Sequence, residues 1–331
     1  MDYIGSKAKW TSWLFERIGA SDPPGQIFLD GCSGSGVVSR CAAQHGYSVI
    51  ANDLMYFPAT IVNGSIGLTP AQIAEAQAYI DRLNALPGKA GYFCTHFCDA
   101  SKPPRLYFTS SNARRIDHVR AEIETVRDQK VRDYLLYCGL EALSRTSNTT
   151  GVQAAFLKRF KTRALDRFEL RPEVYTPGTA KVYRRDLLSL LLDGLIPAED
   201  ILYIDPPYTG RQYGPNYHLY ETFVRNDNPN PTGKTGLRGW KAECHSAFCV
   251  APKCLAFLVD VVRVSKAPLV YISYNSDGIV SAGDMKTALA SFGSVIIHET
   301  EQRRYRADTS TIRTYNETPL TEYLFELRRA K

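Results

Sequence analysis

The sequence predicts an α/β protein built on a mostly parallel sheet, with a mainly helical segment inserted into it. Short apolar runs that end in a carboxylate alternate with helix-like segments, as at 27–30, 48–53 and 201–205. Strands that alternate with helices in this way form parallel sheets. The alternation stops between about residues 57 and 180, where one helical pattern follows another. That interruption predicts the inserted segment.

The composition is that of an ordinary globular protein whose positive charge is concentrated in one region. The 331 residues are 44% hydrophobic and 22% charged, which allows one large domain with an insertion or two modest domains. Residues 102–185 hold 18 Lys and Arg against 9 Asp and Glu, an excess larger than the net charge of +6 of the whole chain. A lobe that binds a polyanion needs such a concentration, but a solvated surface would give the same count.

The eight cysteines predict reduced thiols in a cytosolic protein, because the chain is long and opens on no secretory signal. Cys94 and Cys98, and the Cys and His residues within 244–254, have spacings that fit no common zinc finger or ribbon, so no metal is expected. No apolar run reaches the roughly 18 residues that a membrane-spanning helix requires. The sequence therefore argues against an integral membrane protein.

The first element is a turn that leads into a helix. The sequence Tyr-Ile-Gly-Ser-Lys at 3–7 precedes a helix-like segment at 8–18 with apolar residues on one face. A Gly-Ser turn before a helix leaves backbone N–H groups without partners, and together with Lys7 these could hold a carboxylate. Taken alone, the stretch could equally be structural, with Tyr3 capping the core and Lys7 solvated.

Two strands that follow predict a nucleoside site. The strand at 27–30 runs into the loop Gly-Cys-Ser-Gly-Ser-Gly at 31–36 and an apolar helix at 37–43. The glycines permit positive φ angles and close approach of the backbone to a ligand, and the helix N-terminus favours a negative group. The second strand, 48–53, ends in Asp53, at the distance from the loop where a carboxylate accepts hydrogen bonds from ribose hydroxyls. These features do not distinguish NAD from S-adenosylmethionine.

The inserted segment contains helical patterns at 70–86 and 113–144. After them come a polar stretch at 144–151 and a basic, aromatic run at 156–161. Hydroxyl and amide side chains followed by lysines and arginines are suited to contacts with DNA phosphates and base edges. A capped loop before a solvated basic helix would show the same pattern.

The strand at 201–204 ends in Asp205-Pro206-Pro207-Tyr208, and a strand at 181–186 and a helix at 187–195 precede it. The prolines make a rigid turn at the carboxyl end of a sheet strand, which is where α/β proteins bind their ligands. The polar and aromatic stretch 209–240 predicts a loop that becomes ordered when DNA binds. Within it, His218 could be a general base, although a structural or phosphate-contacting histidine is the favoured interpretation.

Three further strands complete the predicted sheet. The apolar run at 269–275 predicts a buried strand, and the runs at 295–299 and 322–327 are expected to pair in antiparallel fashion.

The turn at 205–208 matches the DPPY motif, and the chain resembles the Dam-like DNA adenine-N6 methyltransferases, also called the D12 class. Residues 3–7 are similar to motif X of that family, the loop at 31–36 to motif I, and the strand ending at Asp186 to motif III, all in the family's order. The sequence that follows Tyr208 looks especially like modification methylases of restriction–modification systems. The resemblance implies a Rossmann-like, mostly parallel seven-stranded sheet with an antiparallel C-terminal hairpin. Residues 1–56 and 181–331 would bind S-adenosylmethionine, and 57–180 would form the target-recognition lobe.

The resemblance also implies site residues. The catalytic residues would be Asp205, Pro206, Pro207 and Tyr208. The residues expected to bind S-adenosylmethionine are Tyr3, Gly5, Ser6, Lys7, Asp30, Gly31, Cys32, Ser33, Gly34, Gly36, Asp53, Leu54, Asp186, Leu187 and Asp205, with Asp186 on the adenine amine. The residues expected to contact DNA are Arg145, Asn148, Thr149, Lys158, Arg159, Lys161, Arg211, Gln212, Tyr213, Arg303, Arg304 and Arg306.

The predicted reaction is direct methyl transfer to the amine of a flipped adenine in double-stranded DNA. The expected protein is a monomer of the prokaryotic or phage cytoplasm, associated with the nucleoid, with a separately encoded cognate endonuclease as a further partner. Alternatives are a nucleic-acid-binding protein that keeps the fold without catalysis, a nicotinamide-dependent oxidoreductase, and an RNA adenine or cytosine-N4 methyltransferase. The oxidoreductase would leave the turn at 205–208 and the basic lobe unexplained.

Overall fold

The computed structural model describes residues 1, 3–19, 26–240, 244–302 and 320–329. The strands are β1 Ile27–Asp30, β2 Ser48–Asn52, β3 Ala180–Tyr183, β4 Ile201–Ile204, β5 Leu269–Asn275, β6 Gly293–Gln302 and β7 Leu320–Arg329. They form one seven-stranded sheet in the order β3-β2-β1-β4-β5-β7-β6. Strands β1 to β5 are parallel, and β7 runs antiparallel to both β5 and β6. The predicted Rossmann-like sheet with its antiparallel C-terminal hairpin is confirmed.

Helices connect and cover these strands. They are α1 Thr11–Ile18, α2 Val37–Gln44, α3 Tyr56–Ser65, α4 Pro70–Ala85, α5 Tyr92–His96, α6 Ser110–Ile123, α7 Gln129–Thr146, α8 Leu187–Leu192, α9 Tyr213–Asn216, α10 His218–Arg225, α11 Ala251–Val264 and α12 Ala282–Leu289. Apolar residues of α1 and α2 pack on one face of the sheet, and those of α8, α11 and α12 pack on the other. All four residues of β4 are buried, which explains why a central parallel strand is apolar throughout.

The order of the strands creates a crevice at their carboxyl ends. Strand β1 has β2 on one side and β4 on the other. Connections that leave β1 and β4 diverge to opposite faces of the sheet, and ligands of such sheets bind where this happens. Asp30 ends β1, Asp53 follows β2, Asp186 follows β3, and Asp205 follows β4. The fold therefore brings four carboxylates to one edge of the sheet.

The inserted segment has its own hydrophobic core, formed mainly by α3 to α7. Helices α3 and α7 lie very close together, because a Cβ added to Gly64 would be 2.5 Å from the carbonyl of Asp133. The helical pattern predicted at 113–144 corresponds to two helices in the structure, α6 and α7. Asp128 explains the division, because its carboxylate accepts hydrogen bonds from the N–H groups of Lys130 and Val131 and starts a new helix there.

The prediction that 209–240 is a loop is wrong for residues 213–225, which form α9 and α10. Helix α10 buries Leu219, Tyr220 and Phe223 in the core of the inserted segment. These residues lie on one helix face, but the many Gly, Pro and Asn residues around them favour a loop in the sequence pattern. Helix α10 therefore belongs to the core of the inserted segment, and it is formed in the absence of DNA.

None of the helices in the described ranges is long and apolar enough to cross a membrane. The eight cysteines all lie in those ranges, and none of them forms a disulfide. Within the same part of the chain, no three His, Cys, Asp or Glu side chains are grouped so that they could hold a metal ion.

Candidate active site

A deep pocket lies at the carboxyl ends of β1, β2 and β4 and holds about 1030 Å³ of space, part of it open to solvent. The N-terminal segment, the glycine loop after β1 and the turn after β4 form its walls. The pocket is lined by these residues of the predicted cofactor set: Tyr3, Gly5, Ser6, Lys7, Asp30, Gly31, Cys32, Ser33, Gly34, Asp53, Leu54, Asp186, Leu187 and Asp205. Gly36 has a different role, because its left-handed φ of 69° begins α2. Five stretches that are distant in sequence thus form one pocket.

Two glycines of the loop stand where a side chain would collide with a neighbouring residue. A Cβ on Gly31 would lie 2.7 Å from a methyl group of Leu187. A Cβ on Gly34 would lie 2.9 Å from the hydroxyl of Tyr3, and the φ of Gly34 is +48°. Both positions line the pocket. Glycine therefore lets Leu187 and Tyr3 pack directly against the backbone of the loop where it borders the pocket.

Asp53 connects the glycine loop to the end of β2. One of its carboxylate oxygens accepts a hydrogen bond from the N–H of Gly34 and the other from the N–H of Met55, each at 3.0 Å. Burial raises the pKa of Asp53 to about 6, although these backbone hydrogen bonds oppose the rise. Each oxygen keeps a further lone pair, so the carboxylate can still accept hydrogen bonds from a ligand.

Asp30 lies beneath the loop. The hydroxyl of Ser39 donates a hydrogen bond of 2.6 Å to its carboxylate. Burial raises the pKa of Asp30 to about 7, and the bond from Ser39 opposes this rise. Its carboxylate therefore anchors α2 to the end of β1 as well as lining the pocket.

At the turn after β4, a lysine, a carboxylate and a tyrosine meet. The ammonium of Lys7 lies 3.0 Å from Oδ1 of Asp205 and donates to the carbonyl of Gly5 and to the hydroxyl of Tyr208. The same Oδ1 accepts a hydrogen bond from the hydroxyl of Tyr208. Burial raises the pKa of Asp205, while the charge of Lys7 and the bond from Tyr208 lower it. Lys7 therefore joins the N-terminal segment, through Gly5, to the turn at 205–208.

The ring of Tyr208 is held in place from several sides. The ring packs edge-on against Tyr274, with ring centroids 5.1 Å apart. The backbone carbonyl of Tyr208 accepts a hydrogen bond from the N–H of Ile279. The ammonium of Lys7 lies 4.9 Å from the centre of the ring. Pro206 and Pro207 line the pocket beside it. The turn is thus rigid on both sides of its carboxylate.

Asp186 also lines the pocket, but one of its oxygens already has partners. Oδ1 accepts hydrogen bonds from the N–H and the hydroxyl of Ser189, so Asp186 caps the N-terminus of α8. Nearby, the amide of Asn52 bonds to the backbone of Gly31 and of Arg185, so it joins the ends of β1, β2 and β3. Sequence reasoning missed Asn52, although its position just before Asp53 is a usable signal.

Two of the predicted DNA contacts are wrong, because their side chains are buried in the lobe. Asn148 is fully buried and donates hydrogen bonds to the carbonyls of Leu106 and Leu157. Thr149 is also buried. These two side chains cannot reach DNA in this conformation. Arg145 forms an ion pair with Glu173 at 2.8 Å, but 22% of its side chain is exposed, so its contact with DNA stays a prediction.

Lys161 supports the same polar stretch. Its ammonium donates to the carbonyl of Thr149 at 2.6 Å, and its N–H donates to the side chain of Asn148. The side chain of Lys161 therefore stabilises the fold of this stretch instead of projecting freely from it.

Two residues predicted to contact DNA, Gln212 and Tyr213, line a wall of the pocket, and their contact with DNA stays a prediction. The side-chain amide of Gln212 makes two hydrogen bonds to the backbone of Ser246. The ring of Tyr213 packs against Tyr3 with centroids 5.7 Å apart, and its hydroxyl donates to the carbonyl of Ile4. The stretch after the turn at 205–208 therefore packs on the N-terminal segment.

The remaining predicted DNA contacts fall into two groups. Lys158, Arg159 and Arg211 are exposed to solvent. Arg303, Arg304 and Arg306 lie outside the described residues.

His218 is a structural residue, as the favoured interpretation predicts. Its side chain is completely buried, and Nε2 lies 3.0 Å from the carbonyl of Gln153, to which it donates. Burial lowers the pKa of His218 to about 3. A general base at this position is excluded because the ring does not line the pocket.

The wall facing the N-terminal segment comes from a part of the chain that carries no recognisable motif. Cys244, Ser246, Phe248 and Phe257 line it. The only recognisable pattern in the sequence of this stretch is the spacing of its cysteines, which indicates no role in the pocket. Its role in the pocket depends on long-range packing, which no local pattern reveals.

The sequence as a whole is similar to known proteins. A family model described as D12 class N6 adenine-specific DNA methyltransferase matches residues 3–288. The type II methyltransferase M.NlaIII of Neisseria lactamica is 33% identical, over 99% of this chain and 99% of that protein. M.CviAII of Paramecium bursaria Chlorella virus 1 is 32% identical, over 98% and 97%. The modification methylase StsI of Streptococcus sanguinis is 32% identical over 93% of this chain, which spans 49% of that longer protein.

Proposed function

We propose a function that proceeds from family membership: the chain belongs to the D12 class of N6 adenine-specific DNA methyltransferases. It is an enzyme that methylates adenine in DNA with S-adenosylmethionine as the methyl donor. We assign it to the modification half of a restriction–modification system, acting on one short sequence in duplex DNA. Its relatives M.NlaIII and M.CviAII are type II methyltransferases, which supports this assignment.

The observation that carries the proposal is the position of Asp205 at the edge of the pocket, beside the glycine loop. The exocyclic amine of adenine is a poor nucleophile because its lone pair is delocalised into the ring. A carboxylate and a carbonyl that accept hydrogen bonds from the amine return electron density to the nitrogen. We assign these roles to Asp205 and to the carbonyl of Pro206, whose direction the two prolines fix.

S-adenosylmethionine supplies a methyl group that its sulfonium makes electrophilic. We assign Asp53 to the ribose hydroxyls, because it stands at the end of the second strand and keeps free lone pairs. The bare backbone of Gly31 and Gly34 would lie along the ligand. Leu54 and Met55, which also line the pocket, would pack beside the adenine ring.

Lowering the pH through about 6 is expected to weaken the binding of S-adenosylmethionine. Only the ionised carboxylate of Asp53 accepts hydrogen bonds with both oxygens, and its pKa is raised to about 6. At pH 5, about a tenth of the carboxylate remains ionised, so the affinity should fall about tenfold relative to pH 8. Calorimetric titration at both pH values measures this. The Asp53→Asn variant should lose this part of the dependence, and equal pH profiles for the two proteins would contradict the assignment.

The target adenine has to leave the duplex to reach Asp205. The carboxylate lies inside the pocket, behind the N-terminal segment and the wall at 212–214. Flipping a base out of a duplex costs a few kcal/mol, and stacking on an aromatic side chain returns about 1–3 kcal/mol. We propose Tyr208 as the stacking partner, because its ring lies next to the carboxylate and is held from the other side by Tyr274.

The surface that meets DNA is proposed to include Lys158, Arg159 and Arg211, which are exposed. The stretch that carries the first two is joined to the pocket wall, because Gln153 bonds to the backbone of Asn216 and of Leu219. It therefore lies beside the pocket, where a duplex with a flipped base would pass. We propose the helical segment 57–180, together with α10, as the recognition lobe.

Replacing Lys158 and Arg159 with glutamine is expected to weaken DNA binding and to make it less dependent on salt. Each phosphate contact contributes about 0.9 to the slope of log K against log salt, so the loss of two contacts lowers the slope by about two. Fluorescence anisotropy with a labelled duplex at several salt concentrations measures this. The matched control removes the charges of Arg263 and Lys286, which are exposed on α11 and α12. If the control lowered the slope of log K against log salt by the same amount, Lys158 and Arg159 would not be part of the DNA-binding surface.

The restriction–modification assignment also suggests partners and a place of action. We propose a monomer that acts in the cytoplasm, where bacterial DNA lies, together with an endonuclease that cleaves the same sequence when it is unmethylated.

Sequencing that detects modified bases tests this proposed function. DNA from bacteria that express the protein should carry N6-methyladenine at one short motif, and DNA from cells that express Asp205→Asn should not. Methylation scattered without a motif, or found only in RNA, would contradict the assignment.

A further inference from the structure

A second buried carboxylate lies on the same face of the sheet as Asp205. Asp205 follows Tyr203 by two residues, so the pleat directs both side chains to one face. Tyr203 is in register with Tyr271 on β5. Asn275 lies four residues after Tyr271 and shares its face of the sheet, and it is directly opposite Glu322 on β7. Leu324, which shares the face of Glu322, packs in the same cluster as Tyr203. Glu322 therefore points to the side of the sheet that carries the catalytic carboxylate.

Glu322 is buried and incompletely bonded. Its side chain is 8% exposed, and its Oε2 is buried without a hydrogen-bond partner among the described residues. Burial raises the pKa of Glu322, the charge of Lys7 lowers it, that of Asp205 raises it, and a hydrogen bond with the side chain of Asn275 lowers it. The charge of Lys7 therefore acts on both carboxylates, and Asn275 leaves one oxygen of Glu322 without a partner. An unpaired carboxylate oxygen is costly to bury, which calls for a partner that arrives in another state of the enzyme.

The contacts at Asp205 describe a state that has to change before methyl transfer. Oδ1 of Asp205 is bonded to both Lys7 and Tyr208. The target amine needs this carboxylate as a hydrogen-bond acceptor, and a paired ammonium weakens it in that role. As the new nitrogen–carbon bond forms, positive charge develops on the amine, and an ammonium at Asp205 would repel it. Lys7 has to move away, and because it is buried it needs another anion.

We propose that Glu322 is a positioning residue that receives the ammonium of Lys7 when the target amine takes its place at Asp205. Lysine has a long, flexible side chain with three donors, so a swing between two carboxylates on one face is within its range. The move would leave Asp205 with its full charge for the amine, and it would give the orphaned oxygen of Glu322 its partner. This inference rests on the proposed function, because it assumes an adenine amine at Asp205.

The test is a double-mutant cycle on the single-turnover rate of methyl transfer at saturating DNA and S-adenosylmethionine. Glu322→Gln keeps the size of the side chain but removes its charge, and it is expected to slow transfer at least about tenfold without changing the affinity for S-adenosylmethionine. Glu322→Asp, which keeps the charge, should restore part of the rate. In a Lys7→Met background, the same Glu322→Gln change should have an effect of less than about twofold, because the residue acts through Lys7.

The matched control is Glu326→Gln, four residues further along β7 on the same face. Glu326 is buried, but its partners are His298 at 2.7 Å and Arg328, away from the catalytic turn. It should leave the single-turnover rate unchanged. An unchanged rate in Glu322→Gln, or losses that multiply in the double variant, would overturn the inference. The absence of methyl transfer in the unmodified protein would instead count against the proposed function, so the two failures are distinguishable.

Discussion

Replacing Asp205 with asparagine is expected to slow methyl transfer at least about a hundredfold while S-adenosylmethionine still binds. Asparagine has nearly the same shape, but it lacks the negative charge that makes the target amine reactive. Removal of one preorganised polar group at a reacting centre costs about 10²–10³ in rate. Single-turnover assays with a labelled methyl donor measure the rate, and calorimetry measures the affinity for the cofactor.

The electrostatic surroundings of Asp205 make asparagine a cleaner replacement than alanine. Lys7 is buried and lies 3.0 Å from the carboxylate, so either change removes its ion-pair partner. Asparagine still offers Lys7 an oxygen, which limits the disturbance of the fold. A thermal unfolding scan of the variant shows whether the fold persists. A folded Asp205→Asn protein with the full transfer rate would refute the role of the carboxylate.

Replacing Gly34 with alanine is expected to weaken the binding of S-adenosylmethionine at least about tenfold. The φ of Gly34 is +48°, and its new Cβ would lie 2.9 Å from the hydroxyl of Tyr3. A left-handed conformation alone costs about 1–2 kcal/mol for other residues. Relief of the contact then requires Tyr3, which stacks on Tyr217 at 4.8 Å, to move out of the pocket wall. Calorimetric titration measures the loss of affinity.

Gly194 offers the matched control for this change. Its φ is +61°, and nothing lies within 4 Å of an added Cβ. Gly194→Ala therefore carries the same backbone strain without a contact at the pocket, and it should leave the cofactor affinity unchanged. If the two variants bound S-adenosylmethionine equally well, the glycine loop would not contact the cofactor.

The sheet and the pocket could be predicted because their signals are local. Each of β1, β2 and β4 is a short apolar run that stops at an acidic residue or just before one, and the parallel arrangement then brings those carboxylates together. The glycine loop and the turn at 205–208 need particular backbone conformations, so their residue types reveal their positions. Every predicted cofactor residue except Gly36 lines the pocket for this reason.

The DNA-binding surface could not be predicted in the same way. A polar residue in a loop can face solvent or satisfy buried backbone groups, and the sequence pattern is the same in both cases. Asn148 does the second, and its two hydrogen bonds join chain segments 42 and 9 residues away. The position of Glu322 opposite Asn275 cannot be read from the sequence for a similar reason, because it depends on strand pairing between distant parts of the chain.

The most direct test of the central claim follows the labelled methyl group to a single atom. Purified protein is incubated with duplex DNA and S-adenosylmethionine labelled in its methyl group, and the DNA is then digested to nucleosides. We expect the label in N6-methyldeoxyadenosine, and at least about a hundredfold less of it there after the same short incubation with Asp205→Asn. Label on cytosine, label on RNA alone, or equal labelling by the two proteins would contradict this expectation.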